Sequence, residues 1–231
     1  MKLPSAIVLA GGLGKRLRSV VHDLPKPMAP VRGKPFLHYV LLYAQRQGVR
    51  EVILAVGYKS DAIAQYFGEM YLGVRIRYSI EQEPLGTGGA LQQAMCLAGD
   101  EAIVLNGDTY FDVPLTALAE HHYRSGADIT IAVKTLRNFD RYGTVNTNSQ
   151  QYITSFEEKK PMEYGMINGG VYYVQKNLFA HAPASQSYSF ERDILEKHVS
   201  RLRMSAYVCD GFFIDIGVPE DYAKAQEILP E

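Results

Sequence analysis

"AIVLAGGLGKRLRSVVHDLPKPMAPV", residues 6–31, decides how the chain is read. Its first five residues form a short, continuous apolar run bounded by a turn signal, the pattern of a strand buried on both faces. The run breaks into Gly11, Gly12 and Gly14 and turns basic at Lys15 and Arg16 before a helical turn. Glycines placed after a strand let backbone N–H groups approach a phosphate chain closely, and the two cations add positive charge there. The dinucleotide fingerprint G-x-G-x-x-G is incomplete, because Leu17 stands at the third glycine; no Gly-Lys-Ser/Thr comes after it to make a P-loop. Further on, Lys26 is held between Pro25 and Pro27. Proline fixes φ and removes a backbone donor, so the spacing predicts a stiff extended segment that holds one ammonium in place.

Outward from this loop, strand-like runs at 6–10, 51–56, 74–80, 101–106 and 128–133 alternate with helical stretches at 34–47, 61–67 (behind a Ser60 cap), 88–98 and 115–125. Continuously apolar strands separated by helices predict an α/β fold, a Rossmann-like, mixed and mainly parallel sheet with helices on both faces. After about residue 134 the rhythm changes. "YGTVNT" (142–147), "QYITSFEEK" (151–159), "GGVYYVQ" (169–175) and "MSAYVCDGFFIDIG" (204–217) read as strands, with helices at 190–199 and 219–228. This half reads as a small β-rich insertion and a second set of strands on the same sheet. With no repeat and no Pro/Ser linker, residues 1–231 are expected to form one domain.

The 231 residues are 47% apolar, enough for a sizeable core, and the formal net charge is -1. Such a balance carries no general basic field, so nucleic acid is not an expected partner. The opening apolar run is too short for a signal peptide or a membrane span, and Cys96 and Cys209 are far apart with no C-x-x-C pair. A soluble, reduced, cytoplasmic protein is expected, with both cysteines acting as small core hydrophobes. The six histidines show no metal-ligand spacing.

The opening loop, with "GGLGKRL" and then "PKP", resembles the signature of the sugar-1-phosphate nucleotidyltransferases. The similarity continues at "EPLGTGGAL" (83–91), "VLNGD" (104–108), "YGTV" (142–145), "EEK" (157–159), "INGGVYY" (167–173) and "FIDIGVPEDY" (213–222), which covers essentially the whole chain. The resemblance implies the nucleotide-diphospho-sugar transferase (GT-A-like) fold, with a nucleotide-binding half at about 1–134 and a sugar-binding half at about 135–231. It implies the reaction of a nucleoside triphosphate with a sugar 1-phosphate to give a nucleotide sugar and pyrophosphate. No covalent protein intermediate is expected, since charges and carboxylates suffice to position the phosphates and neutralise their developing charge.

Carried onto this chain, the family's pattern puts the leaving β- and γ-phosphates on Arg16, with Lys26 between the α-phosphate and the attacking phosphate. Asp108 and Asp215 fall at strand ends, where ligand sites of open α/β sheets collect, and match the family's metal positions; they suit Mg²⁺, a hard cation taking one or two carboxylates plus substrate phosphates. The nucleotide would be held by Leu9, Ala10, Gly11, Gly12, Gly14 and Lys15 and by Glu81, Gly86, Thr87 and Gly88, with Gly86 giving backbone contacts and Gly88 and Gly89 letting the chain pass close to it. Where relatives using thymidine or uridine nucleotides have glutamine, this chain aligns Glu81. Guanine offers N1–H and N2–H side by side, a donor pair that one carboxylate accepts, which points to GTP. The sugar 1-phosphate would meet Asn106, Gly143, Glu158, Lys159 and Asn168. "EEKKP" carries one lysine more than the family pattern, so the choice between Lys159 and Lys160 stays open. The wording "RLRSVVHDLPKPM" looks most like the D-glycero-α-D-manno-heptose 1-phosphate guanylyltransferases, which serve bacterial surface glycans. Mannose 1-phosphate is the nearest alternative substrate, uridylyl or thymidylyl transfer the next, and a non-catalytic nucleotide-sugar sensor the reading from another class. Homo-oligomerisation is left open.

Overall fold

The computed structural model describes residues 1–12 and 24–229. In chain order, the first half contains β1 (Ala6–Leu9), β2 (Pro30–Val31), β3 (Lys34–Pro35), α1 (Phe36–Arg46), β4 (Glu51–Val56), α2 (Ser60–Phe67), β5 (Met70–Tyr71), β6 (Val74–Ile80), α3 (Gly86–Ala98), β7 (Glu101–Asn106), β8 (Thr109–Phe111) and α4 (Leu115–Ser125). The second half contains β9 (Ile129–Phe139), β10 (Thr144–Thr147), β11 (Ile153–Glu157), β12 (Met162–Gln175), a 3₁₀ turn at Lys176–His181, a π-helical turn at Phe190–Glu196, β13 (Met204–Val208), β14 (Phe213–Asp215) and α5 (Pro219–Ile228).

β1 is the centre of the molecule. It pairs in parallel with β4 and with β7, and β4 pairs in parallel with β6. Its residues alternate between two cores: Ala6 and Val8 join the cluster that contains Phe36, Ile63, Leu118 and Ala225 of α1, α2, α4 and α5, while Ile7 joins that of Leu91, Met95, Ile194 and Leu195 from α3 and the π-helical turn. Helices therefore cover both faces, and the central strands β1, β4 and β7 are almost continuously apolar because neither face meets water, whereas β6 carries an exposed Arg75 and a half-buried Arg77. The second half is hydrogen-bonded onto the same ten-stranded sheet: β12 runs antiparallel to both β7 and β9, and β13 lies parallel to β9.

Several local expectations change. The stretch 34–47 opens with β3 before α1, since Lys34 and Pro35 pair back on β2 across a turn with Arg32 and Gly33 at positive φ. Ser60 is the first residue of α2 rather than its cap; Lys59, in the left-handed region, stands before it. The segment around Lys26 is extended only at Pro25 and then closes into a 3₁₀ turn, with the Met28 N–H donating to Pro25 O at 2.8 Å. Pro27, whose fixed φ also suits a helical turn, sits at its start. Of the two cysteines, Cys96 is exposed on α3 rather than in the core, and Cys209 is half-buried and packed against the core. Among the described residues no helix is long and apolar enough to cross a membrane.

The β2–β3 hairpin is fastened to the end of α5. The Arg32 guanidinium donates to the carbonyls of Gln226 (2.9 Å), Glu227 and Leu229 (3.0 Å), and Gln226 Nε2 and the Tyr222 hydroxyl donate to Pro30 O. A cation on the free carbonyls of a helix C-terminus satisfies both their lone pairs and the negative end of the helix dipole.

Candidate active site

The parallel strands β1, β4, β6 and β7 all end at the same edge of the sheet, and the ends of β1, β6 and β7, with the start of α3, line one cleft of about 320 Å³. Gly11 and Gly12 come from the loop after β1, Glu81 and Pro84 from the loop after β6, Gly86, Thr87 and Ala90 from the start of α3, and Asn106 and Asp108 from the end of β7. Open α/β sheets bind ligands at this edge because the strand ends free their backbone there. Glu81 is half-buried; its Oε2 accepts the Leu85 N–H at 2.9 Å, and a Cβ on Gly11 would come within 2.5 Å of its Oε1. Glycine at 11 is thus the residue that lets the loop lie on the carboxylate. Burial raises the Glu81 pKa, with the Leu85 N–H bond acting against it.

Lys26 and the two aspartates meet. The antiparallel pairing of β8 with β14 sets Asp215 opposite Thr109, next to Asp108, and Ile216 N–H donates to Asp108 O at 3.0 Å. Lys26 Nζ lies 2.5 Å from Asp108 Oδ2 and 3.6 Å from Asp215 Oδ1, with its side chain only 10% exposed. The Gly217 N–H holds Asp215 Oδ1 at 2.6 Å. Two carboxylates therefore converge on a single cation, the ammonium. Among the described residues no group of three or more His, Cys, Asp or Glu could hold a metal ion, so a divalent ion here would draw its remaining oxygen ligands from elsewhere.

Two further clefts adjoin this centre. One, of about 490 Å³, is lined by Tyr142, Gly143, Glu158, Lys159 and Asn168 on one side and by Glu191, Leu195 and Glu196 on the other. The other, of about 220 Å³, is lined by Arg141, Tyr142, Lys159, Asp215, Gly217 and Asp221. Glu191 also lines the first cleft, and Tyr142 and Lys159 are shared by the last two; Asp108 lines the first cleft and Asp215 the smallest, so the Lys26 cluster bridges these two. Local irregularity positions the side chains: β12 bulges between Asn168 and Val171, and Gly170, at φ +72°, leaves room for the Asn106 side chain. Asn168 Oδ1 accepts the Gly170 N–H and its Nδ2 donates to Tyr172. Burial first, then the charge of Asp215, pushes the Tyr142 phenol up to about 12, so it stays a donor at neutral pH.

Not every expected residue sits where its motif suggested. Gly14, Lys15 and Arg16 lie outside the described residues. Ala10 is fully buried beneath the cleft, its N–H on Ala55 O. Asn106 lines the first cleft rather than the larger one with Lys159. Gly88 and Gly89 do not approach the cleft; a Cβ on them would strike the Tyr188 ring at 2.1 Å and Gln186 O at 2.1 Å, and Gly88 N–H donates to Tyr188 O. They are glycines because the 186–188 segment packs across the start of α3. The Thr87 hydroxyl is engaged by the same segment, accepting from Phe190 N–H and donating to Glu191 Oε2. Lys160 pairs with Glu157 on the surface, whereas Lys159 faces the two clefts.

A family profile described as Nucleotidyl transferase matches residues 5–231. The chain belongs to that family. It is 50% identical over 225 residues to the D-glycero-alpha-D-manno-heptose 1-phosphate guanylyltransferase of Aneurinibacillus thermoaerophilus, an alignment covering 97% of each chain. It is 48% identical to the protein of the same description from Campylobacter jejuni, over 94% of this chain and 96% of that one. Among solved structures, HddC from Yersinia pseudotuberculosis complexed with GMP-PN superposes with a TM-score of 0.87 at 36% identity, over 97% of this chain and 99% of that one. The fold and the catalytic class expected of a sugar-phosphate nucleotidyl transferase are those of this family. Arg141, Tyr142, Glu191 and Glu196 are among the lining residues that motif reading missed. Tyr142 opens "YGTV" and Arg141 stands just before it, so a wider reading of that motif would have included both. Glu191 gives no such signal, because only the packing of residues 186–190 on α3 brings it to the clefts.

Proposed function

We propose that this nucleotidyl transferase moves GMP from GTP to D-glycero-α-D-manno-heptose 1-phosphate, giving GDP-heptose and pyrophosphate. The observation that carries the reading is the meeting of Lys26, Asp108 and Asp215, a fixed set of charges in which Asp108 lines the cleft that holds Glu81 and Asp215 lines a cleft that holds Lys159. The substrate is inferred from the two heptose enzymes that match over nearly their whole lengths. An oxygen of the sugar phosphate attacks the α-phosphorus in line; the new P–O bond forms as the bond to the β-phosphate oxygen breaks, and pyrophosphate leaves. Lys26 neutralises charge between the attacking and α-phosphates, Lys159 and Arg141 face the sugar phosphate, and Arg16 is assigned to the departing β- and γ-phosphates by the loop resemblance. Asp108 and Asp215 suit Mg²⁺, because they are hard oxygen donors already converging on one cation. Bound there, Mg²⁺ supplies positive charge to the phosphate oxygens. Glu81 reads guanine through N1–H and N2–H; a carboxylate has lone pairs enough to do so while keeping Leu85 N–H.

Pyrophosphate release with Mg²⁺ tests this across GTP, UTP and dTTP paired with heptose, mannose and glucose 1-phosphates. The fastest release is expected for GTP with the heptose, and Glu81→Gln is expected to cut the preference for GTP by about 10-fold or more, the scale of losing a paired polar contact. Faster turnover of mannose 1-phosphate, or of UTP or dTTP, would replace the assignment, and silence throughout would point to a sensor.

A further inference from the structure

One wall of the larger cleft was invisible to the family motifs: the π-helical turn Phe190–Glu196, which contributes Glu191, Leu195 and Glu196. In an α-helix residues five apart point about 140° away from each other, at roughly 100° per residue. The i→i+5 turn is wider and rotates less per residue, so these three side chains come round to one face. Their order along the cleft is set by the neighbours each one shares. Glu191 also lines the nucleotide cleft, where its Oε2 takes the Thr87 hydroxyl at 2.9 Å. Glu196, five residues further along the turn, lines the sugar cleft and not the nucleotide cleft, and its exposed carboxylate has no hydrogen-bond or ion-pair partner among the described residues.

In the proposed function the sugar occupies this cleft with its anomeric phosphate toward Lys159. The atoms reaching furthest from that phosphate are those of the arm on C5. In mannose 1-phosphate the arm is one carbon with one hydroxyl; in the heptose it is two carbons with vicinal hydroxyls on C6 and C7. We propose that Glu196 is the residue that reads this arm, its carboxylate accepting the C6 and C7 hydroxyls. The inference rests on the heptose reading of the function and adds the residue that tells seven carbons from six.

The measurement is the ratio of kcat/KM for heptose 1-phosphate over mannose 1-phosphate at saturating GTP. Glu196→Ala is expected to lower that ratio by about 10-fold or more, the scale on which a site built to bond a hydroxyl discriminates against losing the pair. Glu196→Gln, which keeps one acceptor oxygen, should recover part of it. A ratio that stays at the wild-type value in both variants, including through equal losses on the two sugars, overturns the inference while leaving the heptose assignment standing. A wild-type enzyme with no preference for the heptose overturns the assignment itself, and the role of Glu196 with it.

Discussion

The nucleotide cleft and the sugar cleft are built from different material. Around the first, the walls are strand ends and close backbone approaches: Gly11 lies on Glu81, and a Cβ at Gly107 would come within 2.6 Å of Leu9 O. Around the second, the walls are side chains, Tyr142, Glu158, Lys159, Asn168, Glu191 and Glu196, carried by loops, a bulged strand and a π-helical turn. A wall of backbone fits a ligand part common to every turnover, and altering it means altering the sheet. A wall of side chains can be changed one residue at a time. The phosphates are thus tied to the architecture, and the choice of base and of sugar to replaceable side chains, Glu81 among them.

Three measurements put that contrast at risk. The largest effect is expected at the centre common to both clefts, where Lys26→Ala should lower kcat by about 10²-fold or more, the scale of a lost transition-state donor, with far less change in KM. Steady-state kinetics for both substrates checks it, and a variant with near wild-type turnover would remove Lys26 from the chemistry. Where the 186–188 segment crosses the start of α3, Gly89→Ala forces a Cβ against Gln186 O, and should cost about 1–3 kcal/mol of stability, as overpacking does. In the nucleotide cleft, Gly12→Ala meets no atom of the described residues within 4 Å, so thermal or denaturant unfolding should separate the two. The smallest effect belongs to a neighbouring pair on the side-chain-built side. Lys159→Ala should raise KM for the sugar 1-phosphate by about 10-fold, as removing a charge-assisted bond does. Lys160→Ala loses a pair at the surface and should stay within about 2-fold. Equal effects would mean that Lys159 does not meet the phosphate.

The same contrast explains which parts are legible without coordinates. The central parallel strands β1, β4 and β7 announce themselves because burial on both faces makes them almost continuously apolar, and the residues after a strand are local to it: Gly11, Glu81 and Asp108 are placed by sequence position alone. Gly88 and Gly89 mislead because a glycine reports that something comes close, and not its identity; here it is a segment a hundred residues away. Lys159 and Lys160 cannot be separated by sequence, since adjacent side chains diverge and only the surrounding walls determine which faces the cleft. Glu191 and Glu196 lie in a stretch that reads as an ordinary helix, 190–199, and its actual turn width is set by packing, not by propensity.

The Arg32 clamp carries a consequence for timing. Lys26 precedes the β2–β3 hairpin, Asp215 precedes α5, and the hairpin and helix are bound to each other through Arg32, Tyr222 and Gln226. If the last turn of α5 frays, the Arg32 and Gln226 bonds are lost together and the strap behind Lys26 keeps only the Tyr222 bond from the first turn. Local opening at the far end of the chain is then also a loosening of the reacting centre, so the persistence of α5 sets how long the lysine stays in register with its two aspartates.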